Sequence, residues 1–323
     1  MSERVSVGQA AALLRKADRI LLLTHHFPDG DTLGSAFALC RALRALGKQA
    51  AVVCSDEIPE KYDYMWDGLE EQTFEPDFIC AVDVATAELL GSALMPYADK
   101  VELCIDHHGS HREYEKRLLL DATAGANAMI VLEVIDELGV EVDAVMADCL
   151  YTGIATDTGC FKYSNTTPLT HRMAARLMEA GAHAEAINRA MFDIKSRARL
   201  ALEQDALASI RYFADGKVAV MSITEDMMKK SGACEGDMEG LSPLPRQIEG
   251  VWVGLTLRRK ADGSYKVSVR TGAHADASAI CALLGGGGHA RAAGCTLGGS
   301  EDEAVAALLG AIGEAVPRLR EFL

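Results

Sequence analysis

The sequence predicts an α/β protein, a mostly parallel sheet with helices on both faces followed by a smaller α+β domain, and three observations carry that expectation. Continuous apolar segments alternate with segments of helical periodicity over residues 1–190, the pattern of strands buried on both faces of a parallel sheet. Three of those apolar segments end in acidic or imidazole groups. After about residue 215 the strands alternate more openly and short turns join them, as in a sheet with one solvated face. A chain of 323 residues is also too long for one compact core and suits two domains.

Residues 6–17 read as a short amphipathic helix, RILLLTHH (19–26) as a buried strand, PDGD as a turn and residues 32–47 as a helix closed by Gly47. Strands follow at 49–56, 77–85 and 101–108, and helices at 126–138, 143–155, 168–181, 183–193 and 195–213. The later domain shows strands at 217–224, 251–260 and 264–272, with residues 261–263 as a hairpin turn. A helix at 276–284, a glycine run, a strand at 293–297 and a helix at 302–315 complete it. The domains are thus expected at 1–190 and 215–323, joined by a helical linker at 191–214, with a cleft between them.

Lys plus Arg total 32 against 47 Asp plus Glu, a net charge of −15, and aromatic residues make up only 6%. Long nucleic acids are bound mainly by phosphate neutralisation and base stacking, so this composition disfavours them and favours a small ligand met by a few cations or by metal. The nine cysteines are odd in number, show no CxxC spacing and sit mostly in apolar runs, which implies reduced, buried thiols. With no apolar leader segment and no run of 18 apolar residues, the expected location is the cytoplasm.

Five constellations carry chemistry. His25, Pro28, Asp29 and Asp31 share a tight turn that can aim one imidazole and two carboxylates into a small volume, although PDGD is also an ordinary surface turn. Asp83 ends an apolar strand and, taken alone, reads better as a helix N-cap. Asp106, His107 and His108 end another; either imidazole could be structural, yet adjacent ones point to opposite sides, so one can ligate metal while the other faces substrate. Asp157 in TDTG is as good a turn residue as a ligand. Taken together, His25, His107, Asp29, Asp31, Asp83 and Asp157 are six candidate ligands at successive element ends of one sheet. Four carboxylates so clustered would repel or bind protons unless two divalent cations neutralised them. An oxygen and nitrogen donor set without thiolate argues for two Mn²⁺ over zinc, with Mg²⁺, Co²⁺ or Fe²⁺ as the other options. The fifth is GGGGHARAAG (285–294), in which Gly286, Gly287 and Gly288 could nest an anion beside His289, or form a flexible loop. Ser268 and Arg270 on a nearby strand could add a phosphate contact, or be plain exposed strand residues.

These residues resemble the DHH phosphoesterase family over nearly the whole chain: THHFPDGDTLGS its first motif, AVD ending at Asp83 its second, DHH (106–108) its third, TDTG its fourth, and the glycine run the signature of the DHH-associated C-terminal domain. The two-domain layout is similar to the bacterial branch that removes nucleotides from very short oligoribonucleotides (nanoRNA) and dephosphorylates 3′-phosphoadenosine 5′-phosphate. The resemblance implies one Mn²⁺ on His25, Asp29 and Asp83 and another on Asp31, Asp83, His107 and Asp157, with Asp83 bridging. It implies further that His108 contacts the scissile phosphate, and that Arg270, His289 and the Gly286–Gly288 backbone grip the remaining one. Two departures stand out: His111 or Arg112 where members often carry Asn, and Met129 where a Glu is common.

The expected reaction is in-line hydrolysis by a hydroxide bridging the two ions. A cyclic dinucleotide (cyclic di-AMP) or pGpG phosphodiesterase is the alternative, and a non-catalytic nucleotide-binding protein ranks below both because none of the six ligands is lost. Pyrophosphatases that share the family core carry a basic motif where this chain has GGGGH. The expected partner is a small nucleotide or short oligonucleotide, with neither long nucleic acid nor membrane. Pairing through the first domain, seen in related proteins, makes a homodimer one expected assembly.

Overall fold

The apolar segments of the first half pair into a six-stranded, all-parallel sheet in a computed structural model that describes residues 2–238, 240–260 and 262–322. The strands are β1 (Glu3–Arg4), β2 (Arg19–Leu23), β3 (Gln49–Val53), β4 (Phe78–Val82), β5 (Leu103–Asp106) and β6 (Arg117–Leu120), in the order β1-β6-β5-β4-β2-β3. From β2 the chain steps outward to β3, returns to the other side of β2 as β4, and continues through β5 to β6. Winding therefore reverses between β2 and β4, and open α/β sheets gather ligands outside the carboxyl ends of the strands at such a point.

Both faces of this sheet are buried. Ile20 and Leu22 of β2 enter a core with the helices Val7–Lys16, Gly30–Ala45, Asn127–Leu138 and Ala144–Asp157. Leu21 and Leu23, alternating with them, enter a second core with Ile79, Leu90, Leu94, Cys104 and Leu118. The chain divides into two compact units, Met1–Ile194 and Lys195–Leu323.

The second unit holds a mixed sheet of β7 (Arg211–Phe213), β8 (Val218–Ile223), β9 (Val253–Arg259), β10 (Tyr265–Thr271), β11 (Gly287–His289) and β12 (Ala292–Leu297). Its order is β11-β12-β10-β9-β8-β7, with only β8 and β9 parallel. Tyr265, Val267 and Val269 of β10 pack on the helices Ala277–Ala282 and Glu301–Ala315, whose Ile280, Leu308 and Ile312 are fully buried.

The structure departs from the sequence reading at one helix end and in one pair of short strands. The helix expected over 195–213 spans Arg197–Ala208 only. There the Ser209 hydroxyl donates to the carbonyls of Ala206 and Ser222 and accepts from the Ser222 N–H, and Arg211–Phe213 turn into the sheet instead. The short strands β1 and β6 had no sequence signal of their own; they pair with each other at the sheet edge. Ala261, in the expected turn 261–263, lies outside the described residues, but the Lys260 N–H donates to the Ser264 carbonyl across it at 2.7 Å.

A seam of small residues joins Gly30–Ala45 to Ala144–Asp157. A Cβ on Gly34 would sit 2.2 Å from the Cys149 carbonyl oxygen, and one on Gly153 would sit 2.7 Å from Asp31 Oδ1. Backbone cannot retreat from such an overlap as a flexible side chain can. Gly34→Ala is therefore expected to lower unfolding stability by roughly 2–3 kcal/mol, read as an earlier urea midpoint; an unchanged midpoint would show that the helices separate freely.

Candidate metal centre

The ends of β2, β4 and β5 and two helix termini deliver six side chains to one place. The helix Gly30–Ala45 begins immediately after the Pro28 turn, and Asp29 caps it, its Oδ1 accepting from the N–H groups of Asp31 and Thr32 at 3.0 and 3.1 Å. Asp31 lies in the first turn and receives the N–H groups of Asn127 and Ala128 at 2.6 and 2.9 Å. Those donors open the helix Asn127–Leu138, so a carboxylate meets the positive end of a helix dipole. Asp157 is the last residue of Ala144–Asp157, where the dipole works against its charge.

Asp83 lies in the middle. The N-cap reading does not hold for it: it follows β4 with φ +61°, a left-handed conformation uncommon outside glycine, and among the described residues no helix N-terminus takes its carboxylate. Its Oδ2 is 3.9 Å from His25 Nε2, and its Oδ1 is 3.5 Å from His107 Nε2. His25 Nε2 is 3.6 Å from Asp29, and His107 Nε2 is 3.8 Å from Asp31 and 3.6 Å from Asp157. Two groups of close ligand atoms result, His25/Asp29/Asp83 and Asp31/His107/Asp157, and Asp83 also meets His107 and His108 in a third. Both inner imidazoles are fixed from behind, His25 Nδ1 by the His26 carbonyl at 2.8 Å and His107 Nδ1 by the Ala124 carbonyl at 3.2 Å. Each Nε2 is thereby aimed at the carboxylates.

The electrostatics show how crowded the site is. Burial, then the charges of Asp31 and Asp29, push Asp83 well above the usual carboxylate range. Burial and the same two neighbours raise Asp157 to about 8. Burial raises Asp31 also, against the opposing pull of His107. For Asp29, burial acts upward most strongly, but the hydrogen bond and charge of His25 together with the Thr32 and Asp31 N–H groups hold the group low. Asp83 Oδ1 is buried and has no hydrogen-bond donor among the described residues. An acceptor left without a donor at the focus of four carboxylates and two imidazoles is what a hard or borderline divalent cation would satisfy. The residues present fit such ions.

Behind the cluster runs a network of which sequence reasoning caught only parts. Asp106 Oδ1 accepts from His108 Nδ1 at 2.8 Å and from the His107 and His108 N–H groups at 2.8 and 3.3 Å. Its Oδ2 is 2.5 Å from His111 Nδ1, whose Nε2 is 3.2 Å from Glu115 Oε2. His111, singled out before as a departure from the family pattern, is a buried bridge between two carboxylates. Glu115 went unnoticed; the i, i+4 spacing from His111 was its one signal.

In the second unit, register places Arg270 of β10 opposite Ala292 of β12, and Ala292 opposite His289 of β11. Ser268 occupies the next such row, opposite Gly294 and Gly287. Residues in register share a face, so Ser268, Arg270 and His289 project from the side opposite the Val267 and Val269 core. Arg270 donates to the Val269 carbonyl and, at 3.3 Å, to Ser242 Oγ. The glycine run is an edge strand rather than a loop: a Cβ on Gly286 would lie 2.2 Å from the Gly294 carbonyl oxygen, and Gly288 has φ +144° against β12. Glycine is needed there for strand approach, whatever else it does.

Comparison with known proteins follows the same outline. Residues 19–154 match the N-terminal domain of the DHH family and residues 203–316 the DHHA1 domain. The chain is 34% identical over 306 residues to the bifunctional oligoribonuclease and PAP phosphatase NrnA of Thermus thermophilus, covering 93% of this chain and 90% of that one. The chain belongs to the DHH phosphoesterase family. Within the same fold it superposes on an exopolyphosphatase-related protein from Bacteroides fragilis with TM-score 0.87 at 24% identity, over 97% of both chains. It also superposes on RecJ from Thermus thermophilus, solved in complex with Mn²⁺, with TM-score 0.57 at 17% identity, over 97% of this chain and 55% of that one. No described helix is long and apolar enough to cross a membrane.

The His111 bridge has a pH signature. Burial alone would lower its pKa, but the hydrogen bonds to Asp106 and Glu115 and their charges together outweigh burial and raise it to about 9, while burial at Glu115 is overcome by the bond from His111 together with those from the Tyr114 N–H and Ser2, which hold that group at about 2. The raised histidine contributes fully below its ordinary 6.5 and loses its contribution as pH climbs through about 9. The depressed glutamate contributes above its ordinary 4.5 and loses its contribution as pH falls toward about 2. The gap in melting temperature between wild type and His111→Gln is expected to be widest from pH 4.5 to 6.5 and to narrow toward pH 9. A gap independent of pH would dismiss the ion-pair account.

Proposed function

We propose that this enzyme hydrolyses phosphate esters of small nucleotides, namely very short oligoribonucleotides and 3′-phosphoadenosine 5′-phosphate, with two Mn²⁺ as cofactors. The observation that carries the reading is the two-sided placement of Asp83, one oxygen toward His25 and the other toward His107. The similarity to NrnA over nearly the full length supports the substrate class, and the donor set without thiolate supports manganese. His25, Asp29 and Asp83 would hold one ion and Asp31, Asp83, His107 and Asp157 the other; when bound, such ions neutralise phosphate charge and make a water acidic enough to attack near neutral pH.

The chain's own groups do the rest. Asp106 occupies His108 Nδ1 at 2.8 Å, which leaves Nε2 free to face the scissile phosphate. The hydrogen bond to Asp106, and then its charge, offset burial and raise the His108 pKa. A protonated His108 can donate a hydrogen bond to a phosphate oxygen and then a proton to the departing oxygen. Burial of Asp31 and Asp83 excludes water and so strengthens each charge interaction near the reacting phosphorus. In the second unit, Arg270, Ser268 and His289, with the backbone of Gly286, Gly287 and Gly288, bind the substrate's remaining phosphate; their common face supports that role.

Asp83→Ala is expected to reduce kcat on pAp and on a diribonucleotide by at least a thousandfold and to lower bound manganese measured by elemental analysis. Near-normal turnover in that variant would end the two-metal reading. Arg270→Ala should raise KM for substrates with a terminal phosphate by roughly 10–100-fold and for a diester with an uncharged end far less; equal effects on both would remove Arg270 from phosphate binding.

A further inference from the structure

Phe27 stands between two proposed ligands, His25 and Asp29, and combines features that ordinary packing would remove. Its side chain is 77% exposed, although its neighbours on either side are covered: Pro28 is buried and His26 is half-buried. Burying a phenylalanine gains about 1.5–3 kcal/mol, so an outward ring forgoes a sizeable contribution. The backbone is also strained. Phe27 has φ +55°, a left-handed conformation that favours glycine and disfavours bulky residues.

The loop is nonetheless well fixed. The Phe27 N–H donates to Asp56 Oδ2 at 2.9 Å, and the His26 N–H donates to the Leu89 carbonyl at 2.7 Å. The His26 ring lies 4.5 Å from the Phe27 ring at a tilt of 43° and supports it from one side. Two residues of chain cannot span more than about 7 Å, so the Phe27 Cα lies within that distance of the backbone of both His25 and Asp29. Strain maintained at a defined position, with a wet aromatic face, is a feature that packing does not explain and that ligand contact would.

We propose that Phe27 is a stacking platform for the nucleobase of the nucleotide whose phosphate is hydrolysed. The idea rests on the nucleotide reading above and deepens it: the carboxylate cluster handles phosphate, and Phe27 supplies the apolar contact that tells a nucleotide from a bare sugar phosphate. A π-face accepts any base, so the contact selects for the presence of a base and not for its identity.

The test compares a diribonucleotide with its abasic counterpart, in which the sugar and phosphates are intact and the base next to the scissile phosphate is missing. In wild type, kcat/KM for the base-bearing substrate should exceed that for the abasic one. Phe27→Gly should shrink this ratio roughly tenfold, and Phe27→Trp should restore it. Phe27→Gly should also melt no lower than wild type, since glycine accepts φ +55° without strain. In Phe27→Trp, added AMP should quench the new tryptophan emission relative to wild type carrying Trp66 and Trp252 alone. An unchanged ratio in Phe27→Gly, with wild type active on the diribonucleotide, overturns the stacking role and leaves the nucleotide reading standing. Equal losses on both substrates together with a lowered melting temperature would make Phe27 structural and overturn the proposal as well. If wild type hydrolyses neither substrate, both readings fall.

Discussion

Mutual repulsion among Asp29, Asp31, Asp83 and Asp157 is the constraint around which the first unit is organised. Four acids at one focus are tolerable only if each is matched, and the protein's own groups match two of them while leaving two short. Asp29 accepts a hydrogen bond from His25 and caps a helix. Asp31 takes the N–H groups at the start of another helix. Asp157 stands at the unfavourable end of its helix with its pKa lifted to about 8, and Asp83 keeps one oxygen without a donor among the described residues. The two least satisfied groups are the ones with most to gain from cations.

Strain follows the same geography. Among the described residues, the non-glycine positions of the first unit with left-handed backbone are Phe27, Asp83, Cys160 and Phe161, each within four residues of a proposed ligand. A parallel sheet delivers chain ends to one edge but does not orient the side chains there, so the turns after the strands are bent until they point inward. Pairs of distant contacts hold those turns in place, as the Asp83 N–H on the Ile105 carbonyl does. The resulting rigidity is a condition for chemistry that tolerates little misplacement of the reacting groups.

Much of this was legible in the sequence because the signals were local. Apolar runs ending in Asp or His marked β2, β4 and β5 and the residues beyond them, and the DHH pattern tied them together. What escaped notice depends on contacts between distant residues. Asp83 reads as a helix cap only when taken alone; its place among six candidate ligands was legible, whereas its left-handed backbone was not. That the glycine run also forms an edge strand shows only once β12 is seen pressed against Gly286 and Gly288. The end of the helix at Ala208 depends on a serine bonded to Ser222, thirteen residues on. β1 and β6 are too short to show a period, and Glu115 matters only because His111 is buried beside it.

The glycine seam between the helices Gly30–Ala45 and Ala144–Asp157 bears on more than packing. Asp31 sits at the start of one helix and Asp157 at the end of the other, so how closely the two rods lie governs how far apart these acids are held. Small residues at 34 and 153, chemically inert themselves, thus act as a ruler for the charges. Drift in the core at those positions would mistune the reactive centre without altering a single group that touches substrate.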